Sequence, residues 1–214
     1  LCGDLEEGRA LELVNRGFGD LPAGDPVPPI PGRTGIPTTL EAPVRAVVHQ
    51  DISLPRVYRA FRIPPYGDDA WYPAFVAAHI LADGQASRLT RRLVRERRLA
   101  QDVVAFAFPI VVGAALFVVW ATARPGVEVE TLERALEEEL AALATIGDEE
   151  VTRAVRLIEA RQLDELQRVD ERADQLSMFT CLFDDPGRIN TELDRIRAVR
   201  AEDVRRIAGD HLAP

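Results

Sequence analysis

Asp83-Gly84-Gln85-Ala86-Ser87-Arg88-Leu89-Thr90-Arg91-Arg92-Leu93-Val94-Arg95-Glu96-Arg97-Arg98-Leu99-Ala100 is the stretch from which the rest of the chain can be placed. Gly84 can relieve a tight connection, and Ser87 suits the N-cap of a helix, where its hydroxyl would accept a bond from a backbone N–H two or three residues on. Leu89, Leu93, Val94 and Leu99 then form a roughly helical apolar stripe, and arginines fill the opposite side. By itself a capped basic helix is a solvated charge face and names no function.

Downstream, Val103 to Ala123 is a run of 21 uncharged residues, long enough to cross a bilayer as a helix. Its internal pattern predicts strands instead. Val104, Phe106 and Phe108 alternate with Val103, Ala105 and Ala107, and Leu116, Val118 and Trp120 alternate with Phe117, Val119 and Ala121. Pro109 to Gly113 supplies the connection, giving two antiparallel strands. Apolar residues on both faces place them centrally in a sheet.

Upstream, seven of the 15 prolines fall between Pro22 and Pro43, where missing N–H groups and restricted predecessors favour an extended linker. Val44 to Val48 and Arg56 to Ile63 read as strands. Asp69 to Leu81 reads as a helix turning Trp71, Phe75 and Ile80 inward. In the last third, Val129, Leu132, Leu136, Leu140 and Leu143 form one helical stripe, with Glu137, Glu138 and Glu139 around the outer surface. Gly147-Asp148 should end that helix and cap the next. Val151, Val155, Ile158, Leu166, Val169, Ala173 and Leu176 continue toward Phe179 with a break somewhere in the run, and Asp203 to Leu212 supplies a terminal helix. The fold class is α+β: a mostly antiparallel sheet with helices packed on one face.

A chain of 214 residues is long enough to bury a full core. Its formal charge of -9 argues against non-specific nucleic-acid binding, which needs clustered cations. The cations are all arginine, and no recognition role follows from that. Cys2 and Cys181 match no metal or redox spacing and are read as buried free thiols.

Taken in order, these segments resemble the M16 (insulinase-like, pitrilysin-like) zinc metallopeptidases, specifically their C-terminal, non-catalytic domain. The resemblance rests on Cys2-Gly3-Asp4, the exit Phe18-Gly19-Asp20-Leu21-Pro22, and the element Gly84, Ser87, Arg88, Leu89. It continues through Asp185-Pro186 and the run Ile196-Arg197-Ala198-Val199-Arg200-Ala201-Glu202-Asp203-Val204. It implies a remnant of the preceding M16 domain over 1–22, a proline-rich linker over 23–43, and the C-terminal domain over 44–214, lacking its last strand. A sheet cut short in this way exposes edge groups, so self-association is expected.

The chemistry can then be tested residue by residue. An H-x-x-E-H zinc motif needs two imidazoles four apart with a glutamate between them, and His49, His79 and His211 lie far apart. No metal ligand and no catalytic residue is therefore assigned. Zinc, where the parent is active, belongs to the family's upstream domain. The family also uses an arginine and, seven residues later, a tyrosine to position substrate. The matching positions here are Val94 and Gln101. Valine donates no hydrogen bond and glutamine replaces a phenol poorly, so no substrate-binding residue is assigned. Arg95 is adjacent, but one residue turns it by about 100° on a helix. The pair would then come from the zinc-bearing half, or the domain belongs to an inactive half that keeps only the shape. Glu149-Glu150, Asp184-Asp185 and Glu137 to Glu139 are read as solvated or helix-terminal charges.

Three function classes follow. The first is the non-catalytic domain of an M16-like zinc metallopeptidase, part of the wall of a peptide-holding chamber. The second is a scaffold domain of a catalytically inactive homologue, such as a respiratory-complex core-like subunit. The third is a standalone small-ligand module. By resemblance, the partners are the preceding M16 domain, a second M16 half or subunit, and peptide substrate, with no nucleic acid and no membrane span. The resemblance favours the bacterial periplasm over the cytoplasm.

Overall fold

The computed structural model describes residues 1, 3–26 and 36–212. The expectations for Cys2, and for the linker between residues 27 and 35, lie outside the described residues. In chain order the elements are α1 (Glu7–Phe18), β1 (Arg56–Ile63), α2 (Trp71–Ala82), a π-helical segment (Thr90–Glu96), β2 (Ala100–Ala107), β3 (Ala115–Ala123) and α3 (Val129–Ala141). A 3-10 turn (Ala142–Thr145), α4 (Asp148–Glu165), α5 (Val169–Phe183), a second 3-10 turn (Pro186–Asn190), α6 (Glu192–Ala198) and α7 (Ala201–His211) follow.

The chain divides into two compact units, one formed by the described residues of 1–33 with 159–193, the other by those of 34–158 with 194–214. In the first, α5 packs on the turn at Pro186–Asn190. Phe179 is its buried anchor. The Arg188 guanidinium lies 3.9 Å from the Phe183 ring centroid and donates to Glu192 at 2.8 Å. α1 buries none of its residues.

The second unit holds the sheet, in the order β1-β3-β2, with both pairings antiparallel. The uncharged run from Val103 to Ala123 is thus a strand pair, and no helix of the described residues is long and apolar enough to cross a membrane. The connection after Phe108 turns through Gly113 at φ +77°, a left-handed conformation suited to glycine. Phe117, Val119 and Ala121 of β3 are fully buried under α2 and α3. The α3 stripe falls as its periodicity demands, with Leu132, Leu136, Leu140 and Leu143 all buried. Arg59 crosses the same face to Glu133 and Glu137 of α3.

The structure corrects several sequence expectations, among them the burial of Cys181, whose thiol is free but exposed. Val44 to Val48 is extended but belongs to no strand, because no described residue pairs with its backbone. Among the described residues only β3 is central, and β2 is an edge. Its double apolar face reflects helices on one side and an aromatic cluster on the other, where the Phe106 ring lies 4.6 Å from Phe108 and 5.3 Å from Trp120. Face burial and edge position are independent. α3 ends in a 3-10 turn rather than on Gly147, which does not adopt the left-handed conformation. The break in the following run falls at Leu166–Arg168. Beyond it, Val169 and Leu176 stay exposed, so that stripe is not core. Phe75 is only half-buried, while Trp71 and Ile80 point inward as expected.

Candidate functional site

The segment from Gly84 to Asp102 holds Gly84, Ser87, Arg88, Leu89, Val94 and Gln101, and its backbone departs from regular geometry at several points. Gly84 has φ +77°, where a β-carbon would be strained. Ser87 is buried and does not cap the helix with its hydroxyl. That hydroxyl contacts the Gly84 carbonyl oxygen at 2.8 Å and the Thr90 Oγ1 at 2.9 Å. The reason is burial. A hydroxyl packed inward meets the turn that precedes it before it meets free N–H groups ahead, and a partner it reaches there satisfies it.

Arg88 secures the next link. Its Nε and Nη2 donate to the two oxygens of Glu150 at 2.7 Å each, and Nη1 donates to the Ala142 carbonyl at 3.0 Å. One guanidinium thus meets the carbonyl end of α3, where a cation is favoured, and ties it to the Glu150 carboxylate, which suits the N-terminal turn of α4. This grip holds the Glu150 carboxyl below the usual carboxylate range. Leu89 and Leu93 are fully buried beneath the same segment.

From Thr90 the helix widens. Arg97 N–H bonds to the Arg92 carbonyl at 2.9 Å, and Leu99 N–H reaches back to Leu93 at 2.8 Å. Arg98 takes φ +53°, unusual for a side chain with a β-carbon. The β2–β3 register then slips between Ala100 and Asp102, which leaves Gln101 as the extra residue of a bulge. Val94 is half-buried in the π-helical segment, and its carbonyl accepts from Arg124 at 3.2 Å. Val94 and Gln101 therefore sit on two local distortions, with the left-handed Arg98 between them. Such distortions cluster at functional sites. Here they carry a valine and an exposed glutamine.

One acidic residue departs from its expected place. Glu139 is not on the outer surface but buried, 3.5 Å from Arg92, with Oε2 unbonded. Desolvation pushes its carboxyl above the usual range, against the pull of Arg92, Arg88 and Arg97. Glu137 and Glu138 instead pair at the margin with Arg59 and Arg97. Helical spacing could have found this burial, since Glu139 lies three residues after Leu136 and four before Leu143 on the buried stripe; its charge is what pointed to solvent.

The three histidines occupy three separate places. His49 is exposed, His79 Nδ1 lies 3.0 Å from the Phe75 carbonyl, and His211 Nδ1 lies 3.0 and 3.1 Å from the carbonyls of Thr38 and Arg62. Among the described residues no group of three His, Cys, Asp or Glu side chains could hold a metal ion. These residues do not fit a catalytic zinc. An open cleft of about 540 Å³ beside α2 and α7 is lined by charges that already pair, Asp69 with Arg195 at 2.9 Å and Asp203 with Arg206.

The run from Ile196 to Val204 also has its structural explanation. α6 stops at Ala198, and Asp203 accepts a 2.9 Å bond from the Arg200 N–H to start α7. Ile196, Val199, Ala201 and Val204 are buried.

Comparison with known proteins agrees with this frame. The chain is similar to a protease from Helicobacter pylori (TM-score 0.81, 20% identity, 99% of this chain and 51% of that one). It is also similar to an inactive peptidase domain from Bordetella parapertussis (TM-score 0.67, 24% identity, 78% and 91%). A chain of Complex III2 from Candida albicans is a further likeness (TM-score 0.63, 17% identity, 75% and 41%). The present chain spans about half the length of the Helicobacter protein. No curated protein matches it. Residues 1–158 match the family described as the peptidase M16 inactive domain. With that match over most of its length, and an antiparallel sheet backed by helices, the chain belongs to the M16 inactive-domain family.

Proposed function

We propose that this chain is a non-catalytic domain of an M16 zinc metallopeptidase and forms part of the wall of a chamber that holds extended peptide. The observation that carries this reading is the face of the sheet that no helix of the described residues covers. Helices bury one side, whereas Tyr58, Phe106 and Trp120 present aromatic surface on the other, with Tyr58 60% exposed. A broad, rigid, partly aromatic face suits contact with varied peptide side chains. Catalysis would belong to the preceding M16 domain, and the substrate-positioning pair to a second half or subunit.

The test is photo-crosslinking in the assembled protein. A crosslinker placed at Phe106 should capture a denatured protein substrate during turnover, and cleavage should be chelator-sensitive. The 214-residue chain alone should retain no stoichiometric zinc after chelator dialysis and should cleave nothing. Zinc retention or hydrolysis by the isolated chain would refute the assignment.

A second reading is a scaffold domain in an inactive homologue. The likeness to a chain of Complex III2 favours it, as do Val94 and Gln101. The two readings separate on the assembled protein, since a scaffold shows no chelator-sensitive cleavage with any substrate.

A further inference from the structure

Three ion pairs fasten the stretch from Arg88 to Arg97 onto the helices beside it, and they are unequal. At one end Arg88 forks onto Glu150 with two bonds of 2.7 Å, and at the other Arg97 donates to Glu138 at 2.7 Å. Arg124 adds bonds to the carbonyls of Val94 and Ala100 at 3.2 and 3.0 Å. Between these fastenings Arg92 Nε lies 3.5 Å from a Glu139 oxygen, too far for a good hydrogen bond. Glu139 is 5% exposed, and its Oε2 has no bond partner. The Arg92 side chain is 52% exposed, so water competes for the cation while the carboxyl is shut away from it.

The charged groups around this carboxyl can each be placed. Arg92, Arg88 and Arg97 of the covering stretch draw it toward ionisation, while burial and Glu138 on its own helix oppose them. Arg88 is committed to Glu150 of α4 and Arg97 to Glu138. From the sheet, Arg59 reaches Glu133 and Glu137 rather than Glu139. Desolvation is the largest influence and keeps the proton on Glu139 to higher pH than on an ordinary carboxyl. Once ionised, Glu139 is relieved only by regaining a proton or by meeting water. Water reaches it where its cover is least regular. The Arg97 and Leu99 N–H groups bond to the carbonyls of Arg92 and Leu93, five and six residues back, a widened geometry that proteins use sparingly.

We infer that the Thr90–Glu96 segment is a proton-controlled cover, shut over a protonated Glu139 and opening to water when Glu139 ionises. The sign follows from linkage. The closed form binds the proton more tightly than the open form, in which the carboxyl is solvated, so low pH favours closing. Opening grows as pH climbs from the solvated value to the closed one, by up to about tenfold per pH unit, and is constant beyond. Opening also withdraws the fully buried Leu93 from the core, which keeps the open form minor. The surface that carries Val94 and Arg95 would then respond to pH whether the parent protein is a protease or a scaffold.

The experiment is native-state hydrogen exchange of the 214-residue chain, read by NMR at a series of pH values with and without low urea. Protection factors already remove the intrinsic pH dependence of exchange. Those of the Arg97 and Leu99 amides should lie at least about tenfold below those of the β1–β3 ladder, and should barely respond to urea that lowers the ladder's. In the wild type they should fall as pH rises and then level off. In Glu139→Gln, neutral at every pH, they should stay high and flat. Carbon NMR of the Glu139 carboxyl should show it titrating above the ordinary 4.5. Arg92→Gln, which removes the nearest opposing cation, should move that titration further up and carry the fall in protection to higher pH.

Protection at Arg97 and Leu99 equal to that of the ladder would mean that the segment opens only with the whole fold, and overturns the inference. A fall with pH that persists in Glu139→Gln overturns it too, because another group then drives the opening. So does wild-type protection that is flat with pH. A Glu139 carboxyl titrating at or below 4.5 has the same consequence, since the charge is then satisfied where it stands.

Discussion

Arg88 and Glu150, 62 residues apart in the chain, meet through two parallel hydrogen bonds of 2.7 Å. Glu150 opens α4, and the same guanidinium reaches the carbonyl of Ala142 at the end of α3. One side chain thereby fixes the start of the basic segment against the junction of two helices. Lysine carries the charge but not the fork, so Arg88→Lys should lose about 1–3 kcal/mol by urea denaturation, and Glu150→Gln a similar amount near neutral pH. The Glu150 carboxyl is depressed in the folded protein chiefly by its hydrogen bond to Arg88. The stabilisation is therefore complete above the unfolded carboxylate pKa and is lost as pH falls through the folded value. The gap between wild type and Glu150→Gln should close on acidification below about pH 4.5.

Glu139 is predicted to behave in the opposite sense. Burial raises its carboxyl above the unfolded value, so the unfolded chain releases the proton first. Stability then declines as pH rises from the unfolded to the folded pKa and stays lower beyond it. Glu139→Gln should stabilise the protein by about 1 kcal/mol at neutral pH, because it removes a buried charge with an unbonded oxygen. That gain should disappear in acid. Denaturant midpoints at several pH values measure it, and a loss of stability at neutral pH would show that the ion pair with Arg92 outweighs desolvation.

Gly84 has open space around the position of a β-carbon, so a substitution there tests backbone strain alone. Gly84→Ala should cost about 1–2 kcal/mol from the left-handed conformation. Ser87→Ala should cost about 1 kcal/mol, through the bond lost at the Gly84 carbonyl. Thermal melts of the two variants and of their combination check both values and any coupling between them.

Arg98 presents the converse case. It adopts φ +53° with an exposed side chain, so glycine relieves strain at little loss of contact. Arg98→Gly should raise stability by about 0.5 kcal/mol or more, the strain relieved being partly offset by the greater freedom of glycine in the unfolded chain. A lower melting temperature would mean that the arginine side chain holds the turn.

Leu93 supports the widened helix from below and is fully buried. Leu93→Ala should cost about 2–5 kcal/mol through transfer and cavity terms. The loss should appear in the denaturant midpoint. A cost under about 1 kcal/mol would indicate that the segment collapses onto the space.

Much of this architecture was legible in the sequence because it rests on local period. Two-residue alternation gave β3 and its partner, and three- and four-residue spacing gave the buried face of α3. Prolines and glycines marked the breaks between them. The resemblance in the Gly84 to Leu89 element led to the right family, although the role expected of Ser87 there was wrong. A hydroxyl in a good N-cap position can turn either way, and local sequence does not record which side is covered. Val44 to Val48 has the composition of a strand, but a strand also needs a partner edge, and composition does not supply one.

Amino-acid order alone determined which faces are apolar, where the chain turns, and that the three histidines cannot form the family's zinc motif. Tertiary structure alone decided that Arg92 comes to lie beside Glu139, that Arg88 closes on Glu150, and that Val44 to Val48 finds no partner strand among the described residues. The physical reason is range. Periodicity and turn propensity act over a few residues, whereas desolvation, ion pairing and strand pairing depend on groups brought together from distant parts of the chain, and the local pattern is the same whichever partner arrives.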